Sequence, residues 1–145
     1  MSSGVIATDD CISSYNDLKL FRKYRFILYR ISDDAKSINI EKTVSPSEHK
    51  SARDAYEAFR QGLPIDDCRY AVFDYEYEKA PGEGIRSKIV FVAWSPDVAK
   101  VKSKMLYASS KDALRKKLEG IATEVQATEP GEITYEAVLD KVRLF

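Results

Sequence analysis

Two spacings of apolar residues alternate along this chain, and each change of spacing predicts a change of secondary structure. Between residues 8 and 20 the apolar side chains are three or four positions apart, which predicts an amphipathic helix: Cys11, Ile12, Tyr15 and Leu18. Phe26–Tyr29 is instead a continuous β-prone run, typical of a strand that is covered on both faces. Ile38 and Ile40 then alternate with polar neighbours, so the two strands form a predicted hairpin.

The same alternation continues after the polar loop at 45–50. A second helix is predicted from inward-facing positions, namely Ala52, Ala55, Tyr56 and Phe59. Two longer strands, Tyr70–Tyr77 and Ile85–Trp94, are joined by a loop with two glycines, and Glu124–Ala127 is a short strand candidate. A last helix, which Thr134 can cap, is predicted from its apolar positions, namely Tyr135, Val138, Leu139 and Val142.

These elements predict an α/β fold in a single domain, 1–145, with a central mixed β-sheet of about five strands. Helices are expected on both faces of that sheet. Residues 1–6 are predicted to form a flexible N-terminal tail, and no internal repeat or low-complexity stretch interrupts the domain.

The stretch from Trp94 to Leu118 carries the strongest signal in the chain. Val98, Val101 and Met105 recur at helical spacing, and residues 97–117 hold seven Lys and Arg against two Asp and Glu. Ser109 and Ser110 interrupt the pattern, and Ser109 followed three residues later by Asp112 resembles a capping box. This predicts a second helix starting at Ser109, with the charge run interpreted most simply as a solvated face above a buried stripe.

The charge balance and the cysteine count limit the partners and the cellular compartment that can be expected for this protein. With 23 basic and 23 acidic residues the net charge is zero, which argues against nucleic acid as a partner and confines anion contacts to local clusters. The chain has no apolar run of the roughly 20 residues that span a bilayer and no signal-peptide layout, so an intracellular protein is expected. Cys11 and Cys68 are interpreted as buried hydrophobic residues in a reducing compartment.

The sequence contains no motif that indicates catalysis. The single histidine, His49, lies in a polar loop with no cysteine or second histidine beside it, so no metal site is predicted. There is no G-x-S-x-G elbow, P-loop or H-E-x-x-H motif. We therefore expect a binding protein with no catalytic residue, metal or cofactor.

Residues 94–112 are similar to the long-helix signature of the ADF/cofilin family of actin-binding proteins. The matching positions are Trp94, Pro96, Asp97, Ala99, Val101, Lys102, Lys104, Met105, Tyr107, Ser110, Lys111 and Asp112. Shorter matches run along most of the chain, at Ser3–Val5, Phe26–Tyr29, Asp67–Tyr70, Asp74–Glu76, Arg86–Ile89 and Gln126–Thr128. The resemblance implies that residues 1–145 form a single ADF-homology domain.

The resemblance also implies a function without covalent chemistry. A family member binds monomeric and filamentous actin, prefers ADP-actin, and promotes filament severing and depolymerisation. It works as a cytoplasmic monomer on the actin cytoskeleton, enters the nucleus in some cases, and is regulated by competing phosphoinositides through peripheral membrane contact. The alternative is a relative with the same fold that binds or sequesters actin, or binds filament sides, with little severing.

Two sets of residues follow from the family motifs. The surface for monomer and filament is implied at Ser3, Gly4, Val5, Lys102, Lys104, Met105, Leu106, Arg115 and Lys116. The filament-specific surface is implied at Arg86, Lys88, Asp140 and Lys141. Met105 also has a core interpretation, because it continues the apolar stripe of Val98 and Val101. Leu144 occupies a position where some members carry arginine, which weakens the match at the C-terminus.

The N-terminal tail carries a candidate regulatory site. Ser3 resembles the phosphorylated serine of animal and plant members, where a phosphate would add about −1.5 to −2 charges and oppose docking to an anionic partner. Ser2 is a competing position, and an unmodified tail serine is the alternative interpretation.

Overall fold

The structure is a computed structural model that describes residues 4–78 and 80–143. The strands are β1 Ile6–Ala7, β2 Phe26–Ile31, β3 Ser37–Val44, β4 Arg69–Glu78, β5 Ile85–Trp94 and β6 Thr123–Ala127. The α-helices are α1 Asp9–Phe21, α2 Ala52–Gly62, α3 Val101–Arg115 and α4 Tyr135–Arg143. Two 3₁₀ turns, Pro46–Glu48 and Pro130–Ile133, precede α2 and α4. Among these described residues, no helix combines the length and apolar character that crossing a bilayer requires.

The six strands form one mixed sheet in the order β1-β3-β2-β4-β5-β6. The four central strands are antiparallel, while β1 and β6 join the two edges in parallel. The predicted α/β class is confirmed, with six strands rather than about five. The sixth comes from the predicted tail, where Ile6 and Ala7 pair with Ser37 and Ile38.

The sheet is covered on both faces, as predicted. Side chains of α1 and α3 pack on one face and side chains of α2 and α4 on the other. The second face is rich in aromatic rings: the centroids of Tyr56 and Phe73 lie 5.0 Å apart, and those of Phe26 and Phe59 lie 5.4 Å apart. Tyr56 is fully buried and donates its hydroxyl to the Ile133 carbonyl at 2.8 Å, and burial raises its pKa. Because its polar tip is satisfied, this ring can fill the core without a desolvation penalty.

The helix starts are set by local hydrogen bonds that the sequence largely predicts. Ser51 precedes α2 and its hydroxyl accepts the Asp54 amide at 3.1 Å. Thr134 precedes α4 and its hydroxyl accepts the Ala137 amide at 3.1 Å, which confirms the predicted cap.

The predicted break at Ser109 is wrong, because α3 is one uninterrupted helix. The Ser109 hydroxyl donates to the Leu106 carbonyl at 3.2 Å, so the side chain is satisfied within the helix instead of capping a new one. Ser110 is fully buried. A serine pair therefore sits inside a continuous helix here, and the resemblance to a capping box was coincidental.

Candidate protein-binding surface

The loop that leads into α3 is held at the carboxyl ends of the parallel strands β5 and β6. The Ser95 amide donates to the Ala127 carbonyl at 2.9 Å and the Asp97 amide donates to the Thr128 carbonyl at 3.1 Å. From within α3, Lys104 Nζ donates to the Asp97 carbonyl at 3.0 Å. These bonds extend the β5–β6 pairing beyond the strands and fix where the helix begins.

A half-buried carboxylate, that of Asp67, anchors the first turn of α3 to the loop before β4. Asp67 Oδ1 accepts the Ser103 hydroxyl at 3.0 Å and the Cys68 amide at 2.8 Å, and Oδ2 accepts Arg69 Nη1 at 2.8 Å. Burial acts to raise the pKa of Asp67, but these hydrogen bonds outweigh it and hold the pKa below its usual range. Ser103 lies 36 residues from Asp67 along the chain, so sequence spacing does not predict this link.

A pair of tyrosines fixes the rotation of α3 about its own axis. The Tyr107 hydroxyl accepts the Ile31 amide at 2.9 Å, and the Tyr107 carbonyl accepts the hydroxyl of Tyr70. Burial raises the pKa of both phenols, so both stay neutral donors and acceptors across the physiological range. With Tyr107 and Leu114 buried against the sheet, the side of α3 that faces outward is determined.

The outward side carries the apolar stripe. Val98, Val101 and Met105 are 69%, 68% and 67% exposed, so the expectation of a buried stripe is wrong and the core interpretation of Met105 is excluded. Lys102 is exposed beside them, and Leu106 is half-buried against the core. A contiguous apolar stripe flanked by cations on a rigid helix is typical of a protein-docking surface.

Two cations in the carboxyl half of α3 form ion pairs within the protein. Glu124 on β6 accepts Lys111 Nζ at 2.9 Å and Arg115 Nε at 3.0 Å. Burial acts to raise the pKa of Glu124, yet these two cations lower it overall. Arg115 is therefore positioned by an internal ion pair, whereas Lys116 at the helix end is exposed. Glu124 lies nine and thirteen residues from its partners, a distance at which sequence gives no signal of pairing.

The N-terminal residues lie alongside α3. Gly4 is exposed with φ of 81°, Val5 is buried, and Ile6 is exposed. This left-handed backbone suits a glycine, because it lacks the Cβ that penalises such angles. Val5 packs in the same buried cluster as Tyr107 and Leu114 of α3, while Ser3 lies outside the described residues.

The four residues of the second predicted surface occupy different environments. Arg86 is exposed on β5, and Asp140 and Lys141 are exposed on α4. Lys88, however, donates Nζ to the Val142 carbonyl at 3.1 Å and lies 6.0 Å from the centre of the Tyr77 ring. Lys88 therefore has a role within the fold, because a cation at the carboxyl end of α4 stabilises the last carbonyls of that helix.

Fold and surface together define a class: a single α/β domain that offers a rigid, cationic and apolar helix to a protein partner. The chain belongs to the ADF/cofilin family, since the family model described as "Cofilin/tropomyosin-type actin-binding protein" matches residues 4–143.

Individual relatives agree with this assignment. Cofilin from Ogataea parapolymorpha is 50% identical over 140 residues, which cover 97% of this chain and 93% of the relative. Cofilin from Saccharomyces cerevisiae is 49% identical with the same coverage. The crystal structure of Streptomyces griseoflavus cofilin superposes with a TM-score of 0.85 at 43% identity, covering 96% of this chain and 97% of that one. The predicted family is confirmed over nearly the whole chain.

Proposed function

We propose that this protein binds monomeric and filamentous actin in the cytoplasm, prefers ADP-actin, and promotes filament severing and depolymerisation. The observation that supports this best is the exposed apolar stripe formed by Val98 in the turn before α3 and by Val101 and Met105 on α3. Folding leaves these three side chains in water although the helix carries a second, buried face. An exposed stripe of this kind is stabilised when a partner covers it.

The monomer-binding surface is proposed to combine the stripe with nearby cations and the tail, namely Ser3, Gly4, Val5, Lys102, Lys104, Met105, Leu106, Arg115 and Lys116. Lys102 and Lys116 are exposed and available to pair with acidic groups of actin. Lys104 contributes by holding the Asp97 carbonyl as well as by its charge. The apolar stripe would supply affinity and the cations would supply orientation and association rate.

The filament-specific surface is proposed at Arg86, Asp140 and Lys141, with Lys88 positioning the end of α4 beside them. Binding one subunit through α3 and its neighbour through this surface would favour an altered filament geometry. Differential affinity for two filament states is sufficient to drive severing, and no covalent step is required.

Co-sedimentation and imaging test the proposal. Purified protein should pellet with ADP-actin filaments and should fragment labelled filaments at substoichiometric ratios. Replacing both Lys102 and Lys104 by alanine should weaken monomer and filament binding together. Filaments that stay intact at every ratio, with monomer binding retained, would instead support the sequestering alternative, which the internal engagement of Lys88 favours.

Regulation is proposed at the same surface. Phosphorylation of Ser3 would add negative charge to a segment proposed to dock on an anionic partner, and phosphoinositides would compete for the cations of α3. A Ser3→Glu variant should bind monomeric actin more weakly than Ser3→Ala, measured by titration of labelled ADP-actin. Equal affinities for the two variants would argue against control through Ser3.

A further inference from the structure

A groove lies beside the start of α3, between the end of α2 and the loop that follows β6. Its volume is about 450 Å³ and its lining is mainly apolar: Leu63, Ile65, Trp94, Val98, Pro130 and Ile133. Leu63, Trp94 and Ile133 form a buried floor, whereas Ile65 is 83% exposed and Val98 69% exposed. Two large aliphatic side chains therefore line a concave site without being covered by the domain itself.

The groove is preformed by hydrogen bonds in its walls. Trp94 donates its indole N–H to the Pro64 carbonyl at 2.7 Å, so the ring offers apolar surface with its polar tip already satisfied. On the other wall, Glu132 Oε1 accepts the Thr128 amide at 2.9 Å and the Thr128 hydroxyl at 2.8 Å. Rigid walls lower the entropic cost of filling such a site.

The groove is continuous with the proposed actin-binding stripe. Val98 belongs to both, since it lines the groove and is an exposed apolar residue in the turn that leads to Val101, the first residue of α3. A partner that covers Val98, Val101 and Met105 therefore also covers the mouth of the groove. Charged side chains of both signs, Arg60, Asp97 and Glu129, lie around the apolar lining. This arrangement, an apolar pocket with a polar rim, is the usual form of an anchor site in a protein interface.

We propose that the groove receives an apolar side chain of the actin monomer that is bound to α3, with Ile65 as a contact residue. This inference rests on the proposed function and extends its monomer surface from α3 to the loop before β4. Ile65 lies far in sequence from residues 94–112, which carry the family signature. The fold brings Ile65 and Val98 together in one groove.

A matched pair of substitutions tests the inference. Ile65→Glu should weaken binding of labelled monomeric ADP-actin by at least about fivefold, the loss typical of a buried interface anchor. Ile85→Glu is the control, because Ile85 is also an exposed isoleucine, lies on β5 beside the second surface, and lines a different groove. It should leave monomer affinity within about twofold. Ile65→Asn, which adds no charge, should weaken binding as well.

The outcomes separate this inference from the proposed function. If Ile65→Glu and Ile65→Asn bind like the wild type while Lys102→Ala with Lys104→Ala loses affinity, the groove is not part of the interface and actin binding stands. If only Ile65→Glu weakens binding, charge repulsion explains the loss and the inference is overturned. If the wild-type protein does not bind actin, both the proposed function and this inference are wrong. Thermal unfolding of each variant should match the wild type, because Ile65 is outside the core.

Discussion

At the scale of single residues, the most informative side chain outside the binding surface is Asp74. It is only 7% exposed on β4, and burial raises the pKa of its carboxyl despite the charges of Arg22 and Arg25 nearby. Arg22 donates to the Ser87 hydroxyl at 2.7 Å and Arg25 pairs with Glu76 at 2.5 Å. Both guanidinium groups are thus shared with other partners, which limits what they contribute to the ionised carboxylate.

Asp74→Asn should stabilise the protein increasingly as pH rises. A carboxyl whose pKa is raised by folding adds stability below its unfolded pKa of about 4, and that stability is lost as pH climbs through the folded pKa. Asparagine resembles the protonated carboxyl, so the variant does not lose this stability as pH rises. The free energy of unfolding in urea, measured from pH 4 to pH 7, should therefore shift progressively in favour of the variant. A difference that is constant with pH, or that shifts towards the wild type, would contradict this.

Met105→Asp should separate binding from folding. Met105 is exposed, so the free energy of unfolding should change by less than about 0.5 kcal/mol. Affinity for monomeric ADP-actin should fall by about tenfold or more, because the stripe loses one of its three apolar side chains and gains a charge. Leu20→Asp at the end of α1 is a control, since Leu20 is similarly exposed and is not part of the proposed surface. Equal losses in the two variants would argue against a specific role for Met105.

At the scale of elements, sequence spacing predicted most helices and strands but not which side of α3 faces outward. The helix has exposed apolar residues at Val101 and Met105 and buried ones at Tyr107 and Leu114, and helical spacing fits both pairs. The choice between them depends on long-range bonds to Tyr70 and Ile31, which spacing does not encode. The family signature places Met105 on the surface independently of spacing, and Met105 is exposed in the structure.

The anchoring of α3 gives a prediction at this scale. Asp67→Ala removes the acceptor for Ser103, Cys68 and Arg69 and should lower the free energy of unfolding by about 1–3 kcal/mol. Asp66→Ala changes the adjacent exposed carboxylate and should have an effect below about 0.5 kcal/mol. Chemical denaturation of the two variants measures the difference. Similar values for both would show that the Asp67 network adds little to stability.

At the scale of the whole molecule, the two proposed actin surfaces are built on different elements. The first uses α3 and the chain beside it, and the second uses the start of β5 and the exposed side of α4. Their separation was implied by the family resemblance, whereas the internal role of Lys88 was not. That role requires the end of α4 to meet β5 in space, 54 residues away along the chain.

Arg86→Ala and Lys88→Ala should therefore differ. Arg86→Ala should weaken co-sedimentation with filaments, leave monomer affinity unchanged, and leave stability unchanged because the side chain is exposed. Lys88→Ala should in addition lower the free energy of unfolding by about 1 kcal/mol, since α4 loses a cation at its carboxyl end. Urea unfolding with parallel monomer titration checks this. Equal stability of the two variants would contradict the assigned role of Lys88.

The tyrosine pair beneath α3 also affects what a partner encounters. Tyr107 and Tyr70 are buried in the interior, yet their hydroxyls hold the helix at one angle about its axis. Tyr107→Phe would preserve the packing but remove the bond to the Ile31 amide, which is one of the two bonds that hold the helix in this orientation. We expect partner affinity to fall in this variant although Tyr107 is buried. A buried side chain can therefore alter a binding surface while the exposed side chains of that surface stay the same.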